Sequence, residues 1–429
     1  MSVERLEWDG QDAATYAAGL RRLTTPPPEL EATVAAIIAE VREGGEGALR
    51  RLTARYDATE RSSSEIVLRV EPTGIDEARE SLDPGLIAAL EVAARNIERV
   101  ARAELEASGP VRAELPQGQT VSVVSSPVES AGVYVPGGGG AYPSTVLMGC
   151  IPARVAGVDR VVVASPPGAD GVIPPVVMAA CSIAGAQELY AIGGAQAIAA
   201  LAYGCESIEP LDLIVGPGNA YVNAAKKAVI EQVGIDGIAG PSELVVVLDG
   251  QANPEWVALD LAAQAEHGPG GLLAAISADA EALAALSGRL ERLASERPSA
   301  SGLAARLVKA PDLSAAVELA DALAPEHLEL AVKGADERLA ADRVAGAVFF
   351  GPAGAVAFGD YAAGSNHVLP TGGAARFGRP LGVDVFRRRT SIVEMPPEAV
   401  TALAPRVATL ARAEGFDVHR ESAEARTEG

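Results

Sequence analysis

The sequence predicts an α/β protein in which parallel sheets are covered by helices. Short apolar runs of strand length recur through the middle of the chain, at 160–165 (Arg-Val-Val-Val-Ala-Ser), 188–194, 212–216 and 243–250. Ala-rich stretches with helical spacing lie between them, among them 175–184 and 195–203. Buried parallel strands read as continuous apolar runs, and each crossover between them needs a helix. Hydrophobic residues make up 48% of the 429 residues, enough for sizeable cores. Aromatics are only 4%, so Ala, Val, Leu and Ile must fill those cores. The length suits about two to three domains of roughly 100–200 residues each.

Taken in order, residues 1–24 read as a polar arm that ends before Pro26-Pro27-Pro28. Residues 30–56 and 84–105 carry apolar positions at helical spacing, with charges on the opposite face. The strand-and-helix alternation then begins, and a further unit follows at 271–277 with a helix around 280–296. The last forty residues or so are mostly helical, and 420–429 is polar and expected to be loose.

Lys and Arg number 35 against 57 Asp and Glu, a net charge of −22. Such acidity repels phosphate backbones, so neither nucleic acid nor an anionic membrane is an expected partner. Plain solubility also accounts for it. The three cysteines, Cys150, Cys181 and Cys205, form no Cys-x-x-Cys and no disulfide framework. The first ten residues hold no apolar signal core, and no apolar run reaches the roughly 18 residues of a membrane span. A soluble cytoplasmic protein is expected.

Two Gly-rich segments, 135–140 and 215–219, follow strand-like runs. Glycine lets a backbone approach a ligand closely, and it also builds ordinary tight turns. Neither segment is a Gly-x-Gly-x-x-Gly opening a helix, and no Walker-type Gly-Lys-Ser/Thr occurs, so any dinucleotide would bind in an unusual way.

Only four histidines are present, each beside a carboxylate or amide. Gln264 and His267 stand three apart in a helical stretch and share a face, suited to a metal or to a simple polar pair. Asp360 and His367 bracket a Gly-containing loop that either projects both into a cleft or is a plain turn. Glu326-His327 follows Pro325, which suits the first turn of a helix. There the helix dipole favours an anionic Glu and a neutral imidazole, the form a general base requires. A capping acid beside a bystander histidine is the plainer alternative. Glu414 and His419 lie in the tail, useful only if it docks elsewhere, for instance on a second subunit. Cys150 sits in an apolar context without a base and reads as a buried small hydrophobe.

Together these segments resemble the histidinol dehydrogenase family. The resemblance runs through 134–138 (Tyr-Val-Pro-Gly-Gly), 142–148 (Tyr-Pro-Ser-Thr-Val-Leu-Met), 193–204, 215–222, 235–243 and all four histidine motifs, from about Leu23 to His419. It implies two incomplete Rossmann-like domains, one inserted in the other, with small terminal segments and an intertwined homodimer. The implied boundaries are an N-terminal arm at 1–24, a first domain at 25–133 and 242–387, an inserted second domain at 134–241, and a tail at 388–429. The implied reaction is the NAD-dependent four-electron oxidation of L-histidinol to L-histidine through L-histidinal.

By the same resemblance, Gln264, His267, Asp360 and His419 of the partner subunit would hold one Zn²⁺ per subunit, anchoring the substrate. The same donor types accept Mn²⁺ or Co²⁺. His327 would be the general base, and Glu326 would assist water activation. Ser242, His367 and Glu414 would line the substrate pocket together with Gln264, His267, His327, Asp360 and His419. Tyr134, Gln196 and Asn219 would contact NAD. One departure stands out: the family commonly has Asp after the metal-binding His, and this chain has Gly268, for which a looser helix end is expected. The competing readings are a sister alcohol dehydrogenase, a zinc hydrolase and a non-catalytic binding protein. The hydrolase leaves Tyr134, Gln196 and Asn219 unexplained, and intact Glu326 and His327 speak against a non-catalytic protein.

Overall fold

The computed structural model describes residues 2–21, 29–57, 60–137, 140–268, 270–300, 302, 304–351 and 353–427. Pro26-Pro27-Pro28, the arm boundary at 24, and Gly138 and Gly139 lie outside the described residues.

The chain opens with strand β1 (Ser2–Glu7) and helix α1 (Ala13–Leu20). Helix α2 (Leu30–Tyr56) follows, its apolar stripe of Val34, Ile37, Ile38 and Val41 buried and its axis kinked at Gly45, where φ is +52°. Helices α3 (Pro72–Ser81) and α4 (Pro84–Ala107) come next. Asp83 caps α4 by accepting from the Gly85 and Leu86 N–H groups, and Pro84 at the first helical position needs no N–H partner. Strands β2 (Val111–Glu114) and β3 (Thr120–Pro127) are antiparallel.

Residues 130–235 build a parallel five-stranded sheet. Its elements are β4 (Ser130–Tyr134), α5 (Pro143–Ala156), β5 (Arg160–Ser165), α6 (Pro175–Ala184), β6 (Glu188–Ala191), α7 (Gly194–Tyr203), β7 (Leu213–Val215), α8 (Ala220–Val229) and β8 (Gly234–Ile235). The strand order is β6-β5-β4-β7-β8. The chain steps outward from β4 on one side and then crosses to β7 on the other, so the switch point lies between β4 and β7. Helices α5 and α6 cover one face, burying Met148, Cys150, Ile151 and Cys181 against Val133 and Val163. Helices α7 and α8 cover the other, burying Ile198, Leu201 and Val222 against Val162 and Ile214.

The resemblance groups 25–133 with 242–387, and three helices of the first stretch pack on helices of the five-stranded sheet. Helix α2 packs on α7 and α8, α3 on α6, and α4 on α5. Their apolar stripes pack onto those covering helices and join the two cores of the five-stranded sheet.

The second parallel sheet has six strands: β1, β9 (Leu244–Leu248), β10 (Leu273–Ser277), β11 (Ala304–Lys309), β12 (His327–Ala331) and β13 (Ala347–Phe350), in the order β1-β11-β10-β9-β12-β13. Helices α9 (Pro254–Ala265) and α10 (Ala280–Glu296) cover one face. Helices α1 and α11 (Leu313–Leu323) cover the other, where Trp8, Ala17 and Leu20 join Leu319 and Leu323. The expected polar arm is therefore an edge strand and a core helix. Its six strand residues pair in parallel with β11, and its few apolar side chains are the ones buried.

After the short α12 (Glu337–Ala341) and α13 (Val356–Tyr361), strand β14 (Arg387–Glu394) pairs with β3 in a three-stranded antiparallel sheet. Helices α14 (Pro397–Glu414) and α15 (Asp417–Glu424) pack on each other. The segment from Arg420, expected to be loose, is helical through Glu424, where Arg420 pairs with Glu421 and Glu424. Among the described residues no helix is long and apolar enough to cross a membrane.

Candidate active site

Helix α11 stops at Leu323 because Ala324 adopts a left-handed conformation (φ 43°, ψ 59°) and Pro325 follows. Positive φ is uncommon for a residue with a Cβ. The chain then enters β12, whose first residue is His327. The helical first turn expected for Glu326-His327 is thus a strand start. The alternation His-Leu-Glu-Leu inserts between β9 and β13, with His327 opposite Leu244 and Ala347. This register sets Glu326-His327 beside Ser242-Glu243, which lead into β9.

The contacts between the two segments are dense. The His327 N–H donates to the Glu243 carbonyl at 3.2 Å, and Nδ1 lies 2.9 Å from the same oxygen. A carbonyl only accepts, so Nδ1 carries the proton and the neutral ring keeps its lone pair on Nε2. Nε2 is buried with no hydrogen-bond partner among the described residues and stands 3.5 Å from Asp360 Oδ1. Burial pushes the imidazole pKa down, but Asp360, Glu326 and the Glu243 carbonyl outweigh burial and leave it raised.

The Glu326 carboxylate accepts from Ser242 Oγ at 2.6 Å and from the Glu243 N–H at 2.7 Å. Burial dominates its titration and pushes it up to about 7, against the opposing effects of His327, Ser242 and the Glu243 N–H. A carboxyl poised near neutrality suits acid–base work.

Gln264 is in the last turn of α9 and buried; its Oε1 accepts from Ser242 Oγ at 2.8 Å and its Nε2 stands 3.5 Å from Asp360 Oδ2. His267 lies just past the helix end and is exposed. Gly268 follows with φ +104° and open space where a Cβ would sit, so glycine relaxes the backbone as the helix ends. Burial acts to raise the Asp360 pKa, but the nearby imidazole of His327, with the charges of His367 and His267, holds the carboxyl below its usual range. His367 Nδ1 lies 3.1 Å from the Asp360 carbonyl and Nε2 3.1 Å from Thr145 Oγ1, which links this loop to α5 of the other sheet. Ser242, Gln264, Glu326, His327, Asp360 and His367 therefore form one cluster.

Glu414 and His419 are not part of that cluster. They line a groove of about 170 Å³ between α14 and α15 with Val407, Leu410, Ala411 and Phe416, and both are exposed. Among the described residues no three His, Cys, Asp or Glu side chains come together as a metal site. Amide, imidazole and carboxylate donors from Gln264, His267 and Asp360 do fit a borderline divalent cation that takes a further ligand.

Tyr134, Gln196 and Asn219 lie at the carboxyl ends of the five-stranded sheet. Tyr134 ends β4, and its Oη accepts from the Gly194 N–H at 3.0 Å. Gln196 opens α7 and reaches Asp57 Oδ2 at 3.4 Å. Asn219 caps α8, accepting from the Tyr221 and Val222 N–H groups. A Cβ on Gly216 (φ +111°) would stand 2.1 Å from the Tyr134 carbonyl, so only glycine lets the turns after β4 and β7 meet. This is the switch-point crevice where doubly wound sheets take nucleotides. Cys150 is fully buried, its thiol pushed up to about 12 by burial, and it reads as core.

Four residues in or beside these sites escaped the sequence reading. Glu243 had one visible signal, a carboxylate leading into an apolar strand. Thr145 lies in the 142–148 segment that carries the family resemblance, without a role assigned to it; Arg21 and Asp57 had no signal, because their partners are distant in sequence.

A buried imidazole and carboxylate beside two parallel-sheet layers define an α/β enzyme of the Rossmann-like class. The histidinol dehydrogenase family model matches residues 20–427. A histidinol dehydrogenase of Rhizobium meliloti is 43% identical over 95% of this chain and 94% of its own. One from Rhodopseudomonas palustris is 44% identical over 96% and 95%. The crystal structure of histidinol dehydrogenase from Elizabethkingia anophelis superposes with a TM-score of 0.91 at 30% identity, covering 99% of this chain and 98% of that one. The chain belongs to the histidinol dehydrogenase family and is an oxidoreductase.

Proposed function

We propose that this chain oxidises L-histidinol to L-histidine through L-histidinal, reducing two NAD⁺, as the last steps of histidine biosynthesis. The observation that carries the reading is the buried Nε2 of His327, which has no hydrogen-bond partner among the described residues and lies beside Asp360, itself next to Gln264. Its proton-bearing Nδ1 is fixed on Glu243, so Nε2 would take the alcohol proton as hydride leaves the carbinol carbon. Glu326, titrating near neutrality and bonded to Ser242, would draw a proton from the water that adds to the aldehyde.

Gln264, His267 and Asp360 would hold Zn²⁺, with His419 of the partner subunit as the remaining ligand. Tyr134, Gln196 and Asn219 would hold NAD, while Ser242, His367 and Glu414 would contact substrate. When bound, Zn²⁺ supplies a Lewis acid that anchors the substrate nitrogens, and NAD⁺ supplies the hydride acceptor. The reading includes a homodimer; its support is that His419 lies on the exposed α14–α15 groove, outside the cluster of its own chain. The cytoplasm suits the three free thiols. Purified metal-loaded protein should reduce NAD with L-histidinol and lose that activity on chelation; activity that survives complete metal removal contradicts the reading.

A further inference from the structure

Arg21 lies at the end of α1, inside the segment that reads as a polar arm, yet its guanidinium sits under the Glu326-His327 turn. Its Nε donates to the Leu323 carbonyl at 3.0 Å, and Nη2 donates to the Leu323 carbonyl and, at 3.4 Å, to that of Ala324. Nη1 and Nη2 form a fork on the Glu243 carboxylate, the second contact at 3.1 Å. The Arg21 and Glu243 side chains are only 19% and 7% exposed, so water screens the pair little. The same Glu243 carboxylate accepts from the Glu326 N–H at 3.3 Å.

One cation thus ties two chain segments together. On one side are the carbonyls that end α11, where a helix terminus favours positive charge. On the other is Glu243, whose backbone holds His327 Nδ1 and the Glu326 carboxylate. Between them stands Ala324 in its left-handed conformation, one residue before Pro325. Such a conformation persists only where surrounding contacts enforce it. Lysine would not replace these contacts, since an ammonium lacks the planar fork.

We propose that Arg21 is a positioning residue for Glu326 and His327, acting through Glu243 and through the carbonyls of Leu323 and Ala324. The inference rests on the catalytic roles proposed above for those two residues. It gives the N-terminal segment a part in turnover through these protein contacts.

The test is a double-mutant cycle on the full-length, metal-loaded protein, with kcat and KM for L-histidinol and the thermal midpoint measured for each variant. Arg21→Met should lower kcat by about 100-fold, the scale of a misplaced catalytic group. KM should stay within about twofold, and in a His327→Asn background the further loss should also be within about twofold, because no base is left to misalign. The same fold-loss in both backgrounds, or an unchanged kcat, overturns the proposal. Unchanged activity in His327→Asn alone would instead remove the reading on which it rests. If Arg21→Met does not fold, Arg21→Lys in the same cycle should give a smaller kcat loss that likewise vanishes without His327; a loss that persists there overturns the proposal.

Discussion

Glu243 presents its backbone carbonyl to Nδ1 of His327 at 2.9 Å, and that one contact decides which ring nitrogen keeps the lone pair. Because the carbonyl holds the Nδ1 proton, that nitrogen is Nε2, 3.5 Å from Asp360 Oδ1. Parallel pairing of β12 with β9 brings the two residues together, though they stand far apart in the chain. The imidazole is therefore oriented by the sheet itself.

Replacing the imidazole should separate chemistry from metal binding. His327→Asn should lower kcat for L-histidinol by about 10²–10⁴-fold, the usual worth of a positioned base. Bound zinc, read by atomic emission, should be retained, since Gln264, His267 and Asp360 are intact. Loss of zinc would assign His327 to the metal instead.

Glu326→Gln should slow oxidation of L-histidinal more than that of L-histidinol. The carboxylate is the working form, so the wild-type histidinal rate should rise as pH passes about 7, and the variant should lack that rise. Equal losses on both substrates would take water activation away from Glu326.

Much of this arrangement was legible in the sequence, and the failures have physical causes. Helices 30–56 and 175–184 have the predicted bounds, because their stripes and terminal signals are local. The strand at His327 was missed because Pro325 also suits a helix start, and only pairing with β9 and β13 decides between them. Residues 2–20 read as polar because one edge strand and one short helix bury few side chains. The packing of α2–α4 on the five-stranded sheet is long-range and left no local mark. At the site, Gln264, Glu326, His327, Asp360 and His367 could be named from their motifs. Glu243 and Arg21 could not, since their roles run through backbone contacts that only the fold creates.

Mixed dimers should test whether His419 serves a neighbouring chain. Subunits carrying His419→Ala and His267→Ala, each inactive alone, should regain up to about half the activity per site when co-assembled, because one intact site is reconstituted. Verified heterodimers with no recovery would place His419 in its own subunit's site or outside the site altogether.

Glu329, two residues along β12 from His327, should make stability depend on pH. Burial, with the charge of Asp260, pushes Glu329 up to about 8, and its Oε2 is buried with no partner among the described residues. The folded-state pKa lies above the ordinary 4.5, so the native state binds this proton more tightly. That contribution is complete below about 4.5 and is lost as pH rises through about 8. Glu329→Gln should flatten the fall in thermal midpoint between mildly acidic and alkaline pH. At the alkaline end it should be more stable than wild type by on the order of 1–2 kcal/mol. Parallel curves for the two proteins would show that Glu329 does not titrate in this range.

The most direct measurement is the number of NADH formed per L-histidinol consumed, with zinc present and after chelation. Two NADH per substrate, lost on chelation and restored by added metal, is the predicted result. One NADH per substrate, with L-histidinal accumulating, or no NAD reduction at all, would contradict the four-electron oxidation proposed for this site.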